Sequence, residues 1–268
     1  MKALQLVKPR EFRAIEIARP EIGSDQILVR LEEAVLCGSD IPKFTGMWRG
    51  LQYPLHPGMP IHECVGVVTE SHSPRFEVGD WVVAVPKGDQ GLAECYVADA
   101  IKAIVIPEPL IHSDASLLIQ PLSTVVYALD RLGDVAGRTA AVVGLGPIGL
   151  LATWLLHQYG ARVTGVDPFA WRCETAERLG AERTYELHSD RLLSLIAGDD
   201  TWEAPEICVE AVGQQTRTIN DCLHLVRHRG QVLALGVPLE PVYPIDYTRF
   251  FRRNLDLIAS VTPPDETY

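Results

Sequence analysis

In the first hundred residues the apolar positions come in short runs. Ile27, Val29 and Leu31 alternate with Arg30 and Glu32, and the runs VGVV from Val65 and WVVAV from Trp81 follow, parted by turn residues such as Pro57-Gly58 and Gly79-Asp80. Short runs of this kind between turns mark strands, so this half predicts a compact, mostly antiparallel barrel or sandwich with few helices. From about Asp114 the texture changes. The stretch ASLLIQPLSTVVYALDRL from Ala115 has the length of a helix. After it, apolar strands at 139–143, 162–166, 206–210, 231–235 and 255–261 alternate with longer helical segments, the rhythm of βαβ units and a parallel sheet. Gly160, Gly180 and Gly230 each follow a helical run, where a left-handed cap is expected. In the last strand Leu255, Leu257, Ala259 and Val261 share one face and Asp256, Ile258 and Ser260 the other, which predicts an edge strand half buried on its own sheet.

The chain has 268 residues, 47% of them hydrophobic and 22% charged, near the averages of soluble globular proteins. Disordered and fibrous classes are excluded. The length suits two modest domains, and the change of texture divides them as 1–115 and 116–268. With 24 Lys plus Arg against 35 Asp plus Glu, the formal charge is −11. That sign repels phosphate backbones and anionic lipid, so neither nucleic acid nor a membrane is an expected partner. Six cysteines, at 37, 64, 95, 173, 208 and 222, include no CxxC pair, which fits neither a disulfide framework nor a thiolate-clamped structural zinc and points to the reducing cytoplasm. The opening MKALQLVKPREF meets charge before an apolar run builds up, unlike a signal peptide. The apolar run 140–156 is interrupted by Gly144, Gly146, Pro147 and Gly149, and their spacing has its own meaning.

The strand AAVV leads directly into Gly144-Leu145-Gly146-Pro147-Ile148-Gly149, and a helix over 148–159 is predicted to follow. In a GxGxxG between strand and helix, the first glycine permits the tight turn, the second admits a pyrophosphate to the backbone, and the third lets the helix pack on the strand. The helix N-terminus adds amides and a positive dipole end. Asp167 ends the next strand, 18 residues after Gly149. An acid there accepts hydrogen bonds from ribose hydroxyls and repels a 2′-phosphate, which favours NAD over NADP. Arg172, five positions on, is the one residue that speaks for NADP, although an arginine on such a helix is more often a solvated face.

Three clusters in the first half, Cys37-Gly38-Ser39-Asp40, His62-Glu63 and Gln120-Pro121-Leu122, are each unremarkable alone. A buried thiol, a satisfied histidine or a surface acid is commoner than a metal ligand. Their order and setting change that weighting. The motifs CGSD from Cys37, HECVGVV from His62, GDWV from Gly79, GLAECY from Gly91, GLGPIG from Gly144, EAVG from Glu210 and LGVP from Leu235 occur in sequence. With these seven the chain resembles the medium-chain dehydrogenase/reductase superfamily, in particular its zinc-dependent alcohol and polyol branch, which includes sorbitol, threonine and glucose dehydrogenases. The likeness covers nearly the whole chain. It implies an α/β protein in which a GroES-like, mostly antiparallel barrel precedes a doubly wound Rossmann domain, with the active site in the cleft between them.

The resemblance places Cys37 and His62 at the catalytic zinc ligands, and Glu63 at an adjacent acid that ligates directly in some polyol-type members. Asp40 resembles the acid that orients the ligating histidine, and Ser39 the hydroxyl that relays the substrate proton. Gln120 stands where relatives carry glutamate or cysteine; a neutral amide is a poorer ligand and points to contact through water. Thr124 and the pairs Val212-Gly213 and Gly236-Val237 match positions that line the cofactor. The implied reaction is hydride transfer between a secondary alcohol (a polyol, sugar or amino alcohol) and NAD, in a homodimer or homotetramer. Ile61 and Pro42 depart from the family pattern, and no cysteine-rich lobe stands between Val85 and Gly91. One catalytic zinc and no structural zinc are therefore expected. Beyond SVTPPDETY the family pattern continues with another helix and a return to the catalytic domain. Two other readings stay open: a zinc-free quinone or enoyl reductase, against which the ligand set argues, and a non-catalytic NAD-binding protein of the same fold.

Overall fold

The computed structural model describes residues 1–199 and 202–261. Contacts divide the chain between Pro121 and Leu122, and each unit is described by itself. In the first, β1 (Lys2–Lys8) and β2 (Glu11–Glu16) form an antiparallel ribbon, while β3 (Gln26–Val35), β4 (Glu63–Ser71), β5 (Trp81–Pro86) and β6 (Cys95–Val105) close into a barrel. Every neighbouring pair in the barrel is antiparallel. Its interior is filled by alternate residues, Ile27 and Val29, Val82 and Ala84, then Tyr96, Ala98 and Ala100, so that one large ring is matched by small neighbours. The short helix α1 (Asp40–Thr45) lies in the β3–β4 connection.

The helix-length stretch after Asp114 is two elements. A 3₁₀ turn, Asp114–Leu118, is capped by the Ser113 hydroxyl and leads into α2 (Ile119–Asp130). Proline is tolerated only in a helix's first turn, where its missing N–H has no acceptor to lose, so Pro121 fixes how early α2 can begin. Leu117 and Ile119 pack against Val65, Val83 and Ile106 of the first unit, which is why the division falls later than residue 115.

The second unit holds β7 (Thr139–Val143), β8 (Arg162–Asp167), β9 (Ala181–Glu186), β10 (Ile207–Glu210), β11 (Gln231–Ala234) and β12 (Asp256–Ala259). They form one sheet in the order β12-β11-β10-β7-β8-β9, with every pair parallel. The helices are α3 (Pro147–Gln158), α4 (Ala170–Arg178), α5 (Ser189–Ile196), α6 (Thr218–Leu225) and α7 (Tyr247–Arg252). Residues of α2, α3 and α4 pack on one face of the sheet with Ala140 and Val142, and residues of α5 and α6 on the other with Ala141 and Val143. Covering both faces explains why β7 is apolar throughout. Strand order reverses between β7 and β10, the place where ligands bind outside the carboxyl ends of such sheets.

Three details differ from the sequence reading. β9, AERTYE, is an added edge strand whose side chains are mostly exposed or half-buried. The left-handed position expected at Gly230 belongs to Arg229, φ 59°, whereas Gly230 is needed for space, since a Cβ there would lie 2.4 Å from Val226 Cγ2. The faces expected over 255–261 hold only at Leu255, which is buried; within β12 they are reversed, with Ile258 packed on the core while Leu257 and Val261 are exposed. Among the described residues no helix is long and apolar enough to cross a membrane.

Candidate active site

Cys37 follows β3, Ser39 and Asp40 open α1, and His62 and Glu63 enter β4. Val35 pairs with Glu63 in the barrel, so the antiparallel register carries the chain just beyond Val35 back beside His62. The Cys37 thiol, one ring nitrogen of His62 and a Glu63 carboxylate oxygen all lie within 4.8 Å of one another. Among the described residues this is the one such group of three. Zinc bonds to these atoms measure about 2.0–2.3 Å, and a thiolate, an imidazole and a carboxylate are ligands it takes readily.

Asp40 is fully buried. Its Oδ2 accepts the Cys37 N–H at 3.0 Å, and its Oδ1 lies 3.1 Å from His62 Nδ1. With Nδ1 turned to Asp40, Nε2 is the nitrogen left for a metal. Burial disfavours a charged His62, but hydrogen bonding to Asp40 and Cys37 and their negative charge outweigh it and raise its pKa to about 10. Burial likewise raises the Glu63 carboxyl, opposed by its hydrogen bond to Cys37 and the His62 charge. Two carboxyl groups and a thiol around one imidazole make a place for a cation. Beside them the Ser39 hydroxyl is buried with no hydrogen-bond partner among the described residues. The residues present thus fit a zinc ion. Gln120 is half-buried on the first turn of α2; Ile61 is part of the barrel core, and Pro42 is buried in α1.

In the second unit the three glycines of the loop have different reasons to be glycine. Gly144 has φ +91°, and a Cβ on it would meet Val212 Cγ2 at 2.6 Å. On Gly149 a Cβ would fall 1.8 Å from the Gly144 carbonyl oxygen, whereas on Gly146 it would meet nothing within 4 Å. The protein's own packing requires the first and third glycines and leaves clear the space beside the second, where a pyrophosphate is expected to approach. Pro147 and Ile148 begin α3, whose first amides have no acceptor inside the helix. Asp167 is 2% exposed. Its Oδ2 accepts the Leu145 N–H at 2.8 Å, and its Oδ1 accepts the Phe169 N–H at 3.0 Å. Arg172 is not a solvated face: its Nη1 lies 3.2 Å from Asp167 Oδ2, with its guanidinium 5.0 Å from the ring centres of both Phe169 and Trp171.

Thr124 is half-buried on α2. Val212-Gly213 follows β10 and Gly236-Val237 lies beyond β11, and the two loops touch: Gln214 N donates to the Val237 carbonyl at 2.8 Å. The sequence reading passed over the carboxylate of Glu210 beneath these loops; its only signal was its place in the EAVG motif.

Residues 23–103 match the alcohol dehydrogenase GroES-like domain, and residues 147–268 match the zinc-binding dehydrogenase domain. The chain belongs to the zinc-dependent alcohol and polyol dehydrogenase family. This dehydrogenase is 24% identical to sorbitol dehydrogenase of Bacillus subtilis, over 96% of this chain and 81% of that one. It is 27% identical to L-threonine 3-dehydrogenase of Vibrio parahaemolyticus, over 89% and 77%. Among solved structures, an alcohol dehydrogenase from Thermus sp. ATN1 superposes with a TM-score of 0.84 at 24% identity, covering 100% of this chain and 86% of that one. As a family member the chain is an oxidoreductase that works with zinc and a nicotinamide cofactor.

Proposed function

We propose that the chain transfers hydride between a secondary alcohol (a polyol, sugar or amino alcohol) and NAD, using one zinc ion held by Cys37, His62 and Glu63, with Gln120 acting through water. The observation that carries this reading is the gathering of those three donors in front of buried Asp40. When bound, zinc acidifies the substrate hydroxyl and NAD accepts the hydride. The chain's residues do the rest: Cys37, His62 Nε2 and Glu63 would hold the ion, Asp40 holds the imidazole in orientation, and Ser39 Oγ would relay the alcohol's proton, accepting it while passing its own hydroxyl proton outward to solvent. Asp167 supports NAD over NADP, because a 2′-phosphate would approach a carboxylate that is 2% exposed in a site of low dielectric.

The same proposal includes a homodimer, or a homotetramer built from it, joined through β12. Asp256 N and Ser260 N bond to the carbonyls of Gly230 and Ala234, so Leu257 directs its N–H and C=O away from β11. A two-fold axis would pair that edge with its own copy, beside exposed Leu257 and Val261. Six free cysteines support a cytoplasmic setting.

Metal analysis of the purified chain, followed by an NAD-linked assay across polyols, sugars and amino alcohols, tests the proposal. The expected result is about one zinc per chain and NADH formed with at least one substrate. A chain that neither retains nor takes up zinc overturns it. Reduction of quinones or enoyl compounds without metal would assign the reductase reading instead.

A further inference from the structure

Glu210, the last residue of β10, is 3% exposed. One of its oxygens, Oε1, accepts three hydrogen bonds, from Val212 N at 3.2 Å, Gly213 N at 3.0 Å and Thr218 Oγ1 at 2.6 Å. The other, Oε2, is pressed against Gly236, on which a Cβ would lie only 2.4 Å away. The Glu210 main-chain carbonyl accepts from Leu235 N at 2.8 Å and Gly236 N at 3.0 Å. Thr218, at the start of α6, is held in turn by Gln215 Nε2 at 2.7 Å. One residue therefore ties the exits of β10 and β11 to the start of α6.

The sheet order says what lies over those exits. Asp167 marks the adenosine side at β8, and the cleared space beside Gly146 marks the pyrophosphate next to β7. A dinucleotide crossing the switch point brings its other half over β10 and β11. We infer that Glu210 is a positioning residue for the nicotinamide half of the cofactor, acting through the Val212-Gly213 and Gly236-Val237 backbone. Drawing the Gly213 N–H inward turns the Val212 carbonyl of the same trans peptide the opposite way, where it can accept from the carboxamide of the nicotinamide. An ionised acceptor holds these donors more strongly than an amide. The inference rests on the proposed use of NAD.

Two titrants separate it from that reading: NADH, followed by the fluorescence of its nicotinamide ring, and ADP-ribose, which lacks that ring, followed by calorimetry. In Glu210→Gln, NADH affinity is expected to fall about tenfold and in Thr218→Val about threefold, the loss of a charge-assisted hydrogen bond and of a weaker one. ADP-ribose affinity should stay within about twofold in both. Equal losses for the two titrants, or no loss for NADH in a folded variant, overturn the positioning role; if Glu210→Gln fails to fold, Thr218→Val decides. An unsubstituted chain that binds neither titrant overturns the NAD reading itself, and this inference with it.

Discussion

The metal cluster and the glycine loop solve their tasks with opposite resources. At the cluster, ordinary backbone brings together side chains from residues 37–40 and 62–63, and the chemistry lies in their donor atoms and charge. At the loop, function lies in the backbone path, and two of the three glycines leave no room for a Cβ. The first site should therefore lose its ligand before its fold, and the second its fold before its ligand.

The sharpest test pairs one substitution from each site. Cys37→Ser removes a proposed zinc ligand, and since structural zinc sites gain roughly 10–16 kcal/mol from about four ligands, zinc binding should weaken on the order of several hundredfold in equilibrium dialysis. Unfolding of the metal-free chain should barely change. Gly149→Ala reverses the pattern: its Cβ would sit 1.8 Å from a backbone oxygen that cannot simply rotate away. A loss of about 3 kcal/mol in denaturant unfolding is expected, the upper part of the overpacking range, with zinc content retained. If Gly149→Ala were neutral, the comparison between the sites would fail.

A smaller effect sharpens the electrostatic half. In the metal-free chain His62 keeps its proton up to about pH 10, and zinc must displace it, so zinc affinity should rise with pH by about tenfold per unit between pH 7 and 9 for this one proton. Asp40→Asn removes the strongest influence that raises His62. The pH slope between 7 and 9 should become shallower, and above about pH 10, where the proton no longer competes, affinity should fall about tenfold; an unchanged slope would mean that Asp40 does not govern the imidazole. The smallest expected change is in cofactor choice. Asp167→Ser should narrow the preference for NAD over NADP several-fold, on the order of 1 kcal/mol for a phosphate–carboxylate repulsion that Arg172 partly offsets, as read by calorimetry with both cofactors.

Much of this was legible in the sequence, and unevenly so. The barrel and the parallel sheet follow from apolar periods of two and from strands alternating with helices, and the glycine loop follows from its spacing. The proposed zinc ligands do not stand out as residues, since Cys37, His62 and Glu63 lie in two separate stretches and only the order of seven motifs connects them. What escaped depends on tertiary surroundings. β9 lacks an apolar signal because its side chains are largely open to solvent, and the faces within β12 are reversed because Ile258 makes its core contact, whereas Leu255, just before the strand, is buried in another cluster. The pairing of Arg172 with Asp167 needs the turn at Phe169 that folds one toward the other.

Asp167 does two jobs with one carboxylate. The oxygen that holds the Leu145 amide clasps the glycine loop, while the acid as a whole is proposed to discriminate at the ribose. On that proposal, cofactor preference and the shape of the phosphate cradle would not be inherited separately. A lineage that replaced Asp167 to admit a phosphorylated ribose would also release the loop, and would have to supply Leu145 with another acceptor in the same step or a neighbouring one. Change at this position should therefore be found in pairs, and an engineer who alters it alone should expect a looser cradle along with a broader choice of cofactor.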